Sequence, residues 1–190
     1  MSRYFLSNKI LNFRILRQYI WKKIMKDDVS EFQLSEKAKE KLKNKKLLKK
    51  ELAEGKTAQQ IMELQDSTMA KFYGAAYYLF EHKRYEDAAH AFLFLATLNP
   101  YIHDYWLGLG MATQMCQNYE AAIDAYELAA FCDINSPVPY FYLAKCLFAI
   151  HDRESALQAL DLAIETAGES EEYTDLKKQA EEAKRILLND

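Results

Sequence analysis

At 190 residues, half of them hydrophobic and with a formal net charge of -3, the chain has the length of one ordinary domain with a tail. Five glycines and three prolines are too few for the turns of a sheet-rich protein, so the composition favours helices. The sequence contains no run of 18 apolar residues, so it predicts no membrane-spanning helix. Its three cysteines cannot all pair and have no CxxC or CxxH spacing, which argues against a disulfide framework and a zinc site.

The basic residues are concentrated at the start of the chain. Residues 1–56 contain 16 Lys and Arg against seven acidic residues, a net charge of +9, whereas residues 57–190 have nine against 21, a net charge of -12. Residues 1–26 contain no acid and have apolar residues at helical spacing, which is typical of a helix on an anionic membrane surface. We favour the simpler interpretation of a frayed or non-native basic extension and expect no stable membrane association.

Residues 27–68 are predicted to form a helical segment before the main fold. Its lysines are mixed with glutamates and lack interleaved aromatics or arginines, which indicates a solvated helix face and argues against a nucleic-acid partner. Gly55-Lys56-Thr57 resembles the end of a phosphate-binding loop, but Lys50 occupies the position where that loop needs glycine. We therefore expect Gly55 to end one helix and Thr57 to cap the next.

From residue 69 the sequence repeats with a period of 34 residues, in three copies at 69–102, 103–136 and 137–170. The copies correspond at eight positions, at one of which Arg153 is the exception: Phe72, Trp106 and Tyr140; Ala75, Leu109 and Leu143; Ala76, Gly110 and Ala144; Tyr85, Tyr119 and Arg153; Glu86, Glu120 and Glu154; Ala88, Ala122 and Ala156; Phe92, Tyr126 and Leu160; Leu95, Ala129 and Ala163. We expect the small residues Ala76, Gly110 and Ala144 to mark places where two helices approach closely. This period belongs to the tetratricopeptide repeat (TPR), a pair of antiparallel helices. We predict an all-α TPR superhelix, with residues 171–190 as a capping helix.

The first helix of each TPR pair lines the concave side of the stack. Positions 5, 9 and 12 of that helix lie on a different face from the repeat-defining residues, and we expect them to be free of packing and to bind a peptide. They are Tyr73, Tyr77 and Phe80, then Leu107, Met111 and Gln114, then Phe141, Lys145 and Phe148. The alternative is that they pack against residues 57–68 or a second copy of the chain. Because only Lys145 is basic, a clamp for a C-terminal carboxylate is disfavoured.

No pattern typical of an enzyme is present. The four histidines are scattered, and there is no HExxH motif, nucleophile elbow or glycine-rich loop. We predict no catalytic residue, no metal and no cofactor.

Four runs resemble the class II type III secretion chaperones, the SycD/LcrH/IpgC group: residues 85–88 (YEDA), 106–110 (WLGLG), 119–123 (YEAAI) and 144–147 (AKCL). The resemblance covers about residues 55–170, whereas residues 1–54 depart from the family in length and charge. It implies a chaperone in the bacterial cytoplasm that holds an extended N-terminal PxLxxP-type segment of a hydrophobic translocator in the concave groove.

The groove aromatics of the family fall here on Tyr73, Tyr77, Phe80 and Tyr85. The resemblance also implies a weak homodimer through residues 30–68, where the apolar Phe32, Leu34, Ile61 and Met62 are expected to need cover. A TPR scaffold for unrelated cytosolic partners remains the alternative function.

Overall fold

The computed structural model describes residues 34–189, of which 79% are in helices and none in a strand. The described elements are α1 (Glu36–Lys43), α2 (Lys45–Ala53), α3 (Ala58–Ile61), α4 (Asp66–Glu81), α5 (Tyr85–Leu98), α6 (His103–Met115), α7 (Tyr119–Cys132), α8 (Val138–Ala149), α9 (Arg153–Ala167), a 3-10 turn (Glu171–Tyr173) and α10 (Thr174–Asn189). The all-α prediction is confirmed. The basic extension at residues 1–26 and Phe32 lie outside the described residues.

Three helix pairs, α4 with α5, α6 with α7 and α8 with α9, pack one on the next. The first helices contact one another, α4 with α6 and α6 with α8, and form one layer. The second helices form the other layer, and α10 packs along α9 with Ala180 and Leu187 buried. The last pair therefore has its apolar side covered by a helix that is polar on its outer face.

The 34-residue period is visible in the backbone. Lys83, Gln117 and His151 stand 34 residues apart at the end of each first helix, and all three have positive φ, at 58°, 61° and 65°. Each makes the same turn, in which its amide donates to the carbonyl three residues earlier at 2.9–3.0 Å. Left-handed backbone is uncommon without glycine, so sequence inspection did not indicate this shared turn.

The interior consists of alternating small and large side chains at the repeat positions. Ala88, Ala122 and Ala156 have no exposed surface. The large residues at the repeat positions of the second helices, Phe92, Tyr126 and Leu160, are at most 2% exposed. Glycine allows the closest approach: a Cβ on Gly108 would lie 2.4 Å from the Phe92 ring, and one on Gly110 would lie 2.6 Å from the Tyr126 ring. The expectation that Gly110 marks a close helix contact is confirmed.

Polar bonds hold the segment before the repeats together and join it to the first pair. The Glu63 carboxylate accepts from the Ser35 hydroxyl at 3.0 Å and from the Lys41 ammonium at 3.1 Å. These bonds hold the pKa of Glu63 below its ordinary value. Gln59 donates to Asp66 at 2.8 Å and accepts from Asn99 at 2.9 Å, which ties α3 to the end of α5.

The loop between α2 and α3 has the expected ends. Gly55 follows α2 with φ of 82°. Thr57 and Gln60 form a capping box at the start of α3.

One premise of the predicted dimer is wrong. Ile61 and Met62 are buried by their own chain, at 1% and 9% exposure, because α3 packs under α5. Leu34 is half-buried against the same core. Leu42 and Leu52 are the larger apolar residues that α1 and α2 leave exposed.

Candidate peptide-binding groove

The aromatic end of the predicted site lies on α4. Tyr73 is half-buried, with its ring 5.9 Å from the ring of Tyr105 on α6. Tyr77, one turn further along α4, leaves 48% of its surface exposed. Phe80 is half-buried and meets the ring of Tyr85 edge-on at 5.4 Å, so the first residue of α5 closes this end. These four predicted residues belong to one aromatic surface.

The centre of the site is formed by α6. Leu107 and Met111 are half-buried and pack against the core of the second and third pairs. The side-chain oxygen of Gln114 accepts a 2.6 Å hydrogen bond from the hydroxyl of Tyr126. Burial raises the pKa of Tyr126, so this phenol stays a neutral donor. Part of the hydrogen-bonding capacity of Gln114 is therefore used within the fold.

The far end of the site lies on α8 and contains a cation above aromatic rings. The ammonium of Lys145 lies 4.3 Å from the ring centre of Phe141 and 5.1 Å from that of Tyr142. The ring faces attract the cation, while burial lowers the pKa of Lys145. Phe148, one turn beyond, is 53% exposed.

The expectation that positions 5, 9 and 12 would be free of packing is wrong for Phe141, which is 5% exposed within the core. It is wrong in part for Tyr73, Phe80, Leu107 and Met111, which also pack on the core. Adjacent first helices lie close enough for these side chains to reach the neighbouring helix. The structure thus separates a half-buried apolar floor from two exposed aromatics, Tyr77 and Phe148.

Two aromatics of this surface were not predicted. Tyr105 is nearly buried beside Tyr73. Tyr142 stacks on Tyr126 with ring centres 5.8 Å apart and planes 19° apart. The spacing of Tyr142 and Lys145, three residues apart on one helix, was a usable signal for their contact. Tyr105 occupies a position that the repeat pattern leaves unspecified.

Metal-binding geometry does not emerge from residues 34–189. No group of three or more His, Cys, Asp or Glu side chains in that range is placed to hold a metal ion. No helix in the same range is both long and apolar enough to cross a bilayer. The arrangement offers aromatic surface, hydroxyls and one ammonium, which are groups that bind a peptide by contact.

Comparison with known proteins gives one consistent group of relatives. No protein-family model matches the chain. It is 31% identical over 122 residues to the low calcium response locus protein H of Yersinia pestis, a match that spans 64% of this chain and 73% of that protein.

Solved structures give the same group. The translocator chaperone SycD of Yersinia enterocolitica, in complex with a peptide of the translocator YopD, is 29% identical with a TM-score of 0.64, over 66% of this chain and 95% of SycD. PcrH of Pseudomonas aeruginosa has also been solved with the chaperone-binding region of PopD. It is 26% identical with a TM-score of 0.65, over 66% of this chain and 95% of PcrH.

Proposed function

Because this chain belongs to the family of class II type III secretion translocator chaperones, we propose that it binds hydrophobic translocators of a bacterial secretion system along α4, α6 and α8. The bound part is an extended N-terminal translocator segment. We assign the chain to the bacterial cytoplasm and give it no catalytic role. The peptide-binding residues are Tyr73, Tyr77, Phe80, Tyr85, Leu107, Met111, Gln114, Phe141, Lys145 and Phe148.

The exposure of Tyr77 and Phe148 supports this function most directly. The large repeat-position residues of the second helices, Phe92, Tyr126 and Leu160, are at most 2% exposed, whereas these two aromatics of the first-helix layer are about half exposed. Between them lies the half-buried floor of Leu107 and Met111. Exposed apolar surface next to a recess of this kind usually marks an interaction site. Phe141, Tyr73 and Phe80 act by holding the floor in place.

The physical action of such a chaperone is to cover apolar surface. Translocators contain membrane-inserting segments that aggregate or insert early when left free, and an anchored segment keeps the protein soluble and ready for export. A proline-containing extended segment loses little conformational entropy when it is ordered, so more of the contact energy appears as affinity. The tyrosine hydroxyls can bond the peptide backbone that an extended ligand leaves unpaired.

Two neighbouring tyrosines allow a matched test of the groove. Tyr77 and Tyr78 are 48% and 55% exposed on the same helix but point to different sides. The Tyr78 ring instead contacts the His82 ring, with ring centres 3.8 Å apart and planes tilted by 31°. A tyrosine has an area near 200 Å², and about half of Tyr77 is exposed to a ligand. Truncation of Tyr77 to Ala therefore removes about 80 Å² of contact area from the interface. At about 25 cal/mol per Å² this is roughly 2 kcal/mol, or about a thirtyfold loss of affinity.

The measurement is a calorimetric titration of each variant with an N-terminal translocator peptide, paired with thermal melts. Tyr77→Ala is expected to keep its melting temperature and lose affinity, while Tyr78→Ala keeps both. Equal affinity of the two variants would place the peptide elsewhere. Binding only to partners without membrane segments would instead favour the scaffold function.

We also propose the weak homodimer through residues 30–68, although fewer exposed apolar residues support it than the sequence predicted. With Ile61 and Met62 covered by their own chain, the exposed large apolar residues of the described part of this segment are Leu42 and Leu52. Sedimentation of the wild type and of Leu52→Lys at high concentration tests this. A monomer at all concentrations in the wild type argues against the dimer.

A further inference from the structure

A second groove lies on the opposite layer from the proposed peptide site. It runs between α5 and α7, has α6 as its floor, and encloses about 880 Å³. The floor includes Trp106 and Leu109, and the walls include Leu93 and Leu128. None of the ten residues of the proposed translocator site lines it. We call it the outer groove.

The apolar part of the outer groove is preformed. Leu109 is 9% exposed and forms a firm floor, whereas Leu128 on the α7 wall is 41% exposed. The Trp106 indole N–H donates to the Pro100 carbonyl at 2.7 Å, which fixes the ring in position. A partner therefore meets a surface whose side chains lose little freedom on binding.

The polar part of the outer groove is acidic. Glu86 on α5 and Asp124 and Glu127 on α7 line it, and its lining contains no lysine or arginine. Within residues 34–189 none of these three carboxylates is in an ion pair. Asp87, the neighbour of Glu86, shows the contrast because it is paired with Arg84. Three unpaired carboxylates around an apolar floor create a field that attracts cations and repels nucleic acids and anionic lipids.

The backbone of the groove restricts the shape of the occupant. Most of its lining lies within α5, α6 and α7, whose interior amides and carbonyls are already bonded within each helix, and only Cys116 and Asn118 lie in the turn between α6 and α7. An extended strand would find few partners for its own backbone there, whereas a helix satisfies its backbone internally. The floor from Trp106 to Cys116 covers ten residues of rise, about 15 Å, which corresponds to two to three turns of a bound helix.

We propose that the outer groove binds an amphipathic helix of a partner protein, with leucine-sized side chains on the floor and lysines or arginines against Glu86, Asp124 and Glu127. Such a partner can occupy the outer groove while a translocator segment occupies the opposite layer. The inference does not depend on the proposed translocator function.

Cys116 supplies a built-in reporter, because it is exposed and lines the groove. Cys146 is buried, and burial raises its pKa to about 11, so it stays unreactive. Replacing the half-buried Cys132 by serine leaves Cys116 as the reactive thiol. The probe is a cysteine-free synthetic helix of about 15 residues with leucines on one face and lysines on the other, long enough to be partly helical. A second peptide has glutamate in place of lysine.

The rate at which a thiol reagent labels Cys116 is measured against peptide concentration in the full-length chain. The lysine peptide is expected to protect Cys116, and the glutamate peptide is not. The triple reversal Glu86→Lys, Asp124→Lys and Glu127→Lys is expected to weaken protection by about tenfold or more, from three lost surface attractions. A matched reversal of exposed acids elsewhere, Glu154→Lys, Glu165→Lys and Glu172→Lys, is expected to leave it unchanged.

Circular dichroism melts confirm that the variants fold. If the triple reversal does not fold, Leu128→Gln is the second variant, expected to weaken protection because it removes apolar surface from the wall. Absence of protection by the lysine peptide overturns the proposal, as does equal weakening by both triple reversals. The proposal is also overturned if Cys116 is unreactive without peptide and becomes reactive when residues 1–26 are removed. The occupant of the outer groove is then the chain's own basic segment.

Discussion

Gly108 and Gly74 occupy the same position in successive repeats, on α6 and α4, and their surroundings differ. A Cβ on Gly108 would lie 2.4–2.6 Å from three atoms of the Phe92 ring, whereas a Cβ on Gly74 would meet nothing within 4 Å. Phe92 is 2% exposed and cannot move away without displacing its own neighbours. Replacing each glycine by alanine therefore tests how closely the first two helix pairs approach.

Both substitutions gain from the higher helix propensity of alanine, but only Gly108→Ala overpacks the core. Alanine in a helix interior is favoured over glycine by about 1 kcal/mol, so Gly74→Ala is expected to raise the free energy of unfolding by about that amount. Overpacking in a core costs about 1–3 kcal/mol, and the short Phe92 distances place Gly108→Ala at the upper end. The expected net loss for Gly108→Ala is about 1–2 kcal/mol after the helix gain is included.

Urea unfolding followed by circular dichroism measures both variants. A loss of this size also lowers the melting temperature by several degrees, at roughly 2–4 °C per kcal/mol for a chain of this length. Combining Gly108→Ala with Phe92→Leu is expected to recover part of the loss, which shows that the two sites are coupled. If Gly74→Ala and Gly108→Ala stabilise the protein equally, the close approach of α5 and α6 is refuted.

Three further predictions concern other parts of the chain. Phe92→Ala is expected to cost about 3–5 kcal/mol of unfolding free energy, and Phe72→Ala less because Phe72 is only half-buried; denaturant titration compares them. The bonds that lower the pKa of Glu63 stabilise the fold above the ordinary pKa of glutamate and are lost as pH falls through its folded value. Melts of Glu63→Gln and wild type should therefore differ at neutral pH and converge in acid. Removal of residues 1–24 is expected to leave the melting temperature and translocator-peptide affinity unchanged, and a fall in either would show that the extension contributes to the fold or the site.

Much of the fold could be predicted because its evidence is local. The 34-residue spacing of Phe92, Tyr126 and the alanines specifies helix pairs, and these residues are buried as expected. Gly110 was identified from its repeat position alone, and the Tyr126 ring explains why that position needs glycine. A helix places its residues on faces by period, so sequence spacing is sufficient to assign core positions.

The exposure of the proposed site residues was predicted less well, because exposure depends on neighbouring helices rather than on period. Tyr73 and Phe141 hold the same repeat position, yet Phe141 is nearly buried while Tyr73 is half-buried. One reason is the residue that follows each of them. Gly74 presents no side chain, whereas Tyr142 stacks on Tyr126 and covers the region beside Phe141.

The sequence by itself determined the helical repeats and their core, and it led to the proposal that the first-helix layer binds a peptide. The tertiary structure decided that Tyr77 and Phe148 are the exposed aromatics of that surface, that Ile61 and Met62 are covered, and that an acidic outer groove lies between α5 and α7. The physical reason is that spacing assigns a residue to a face of its own helix. The distance to the next helix, set by side chains far apart in sequence, determines whether that face is open.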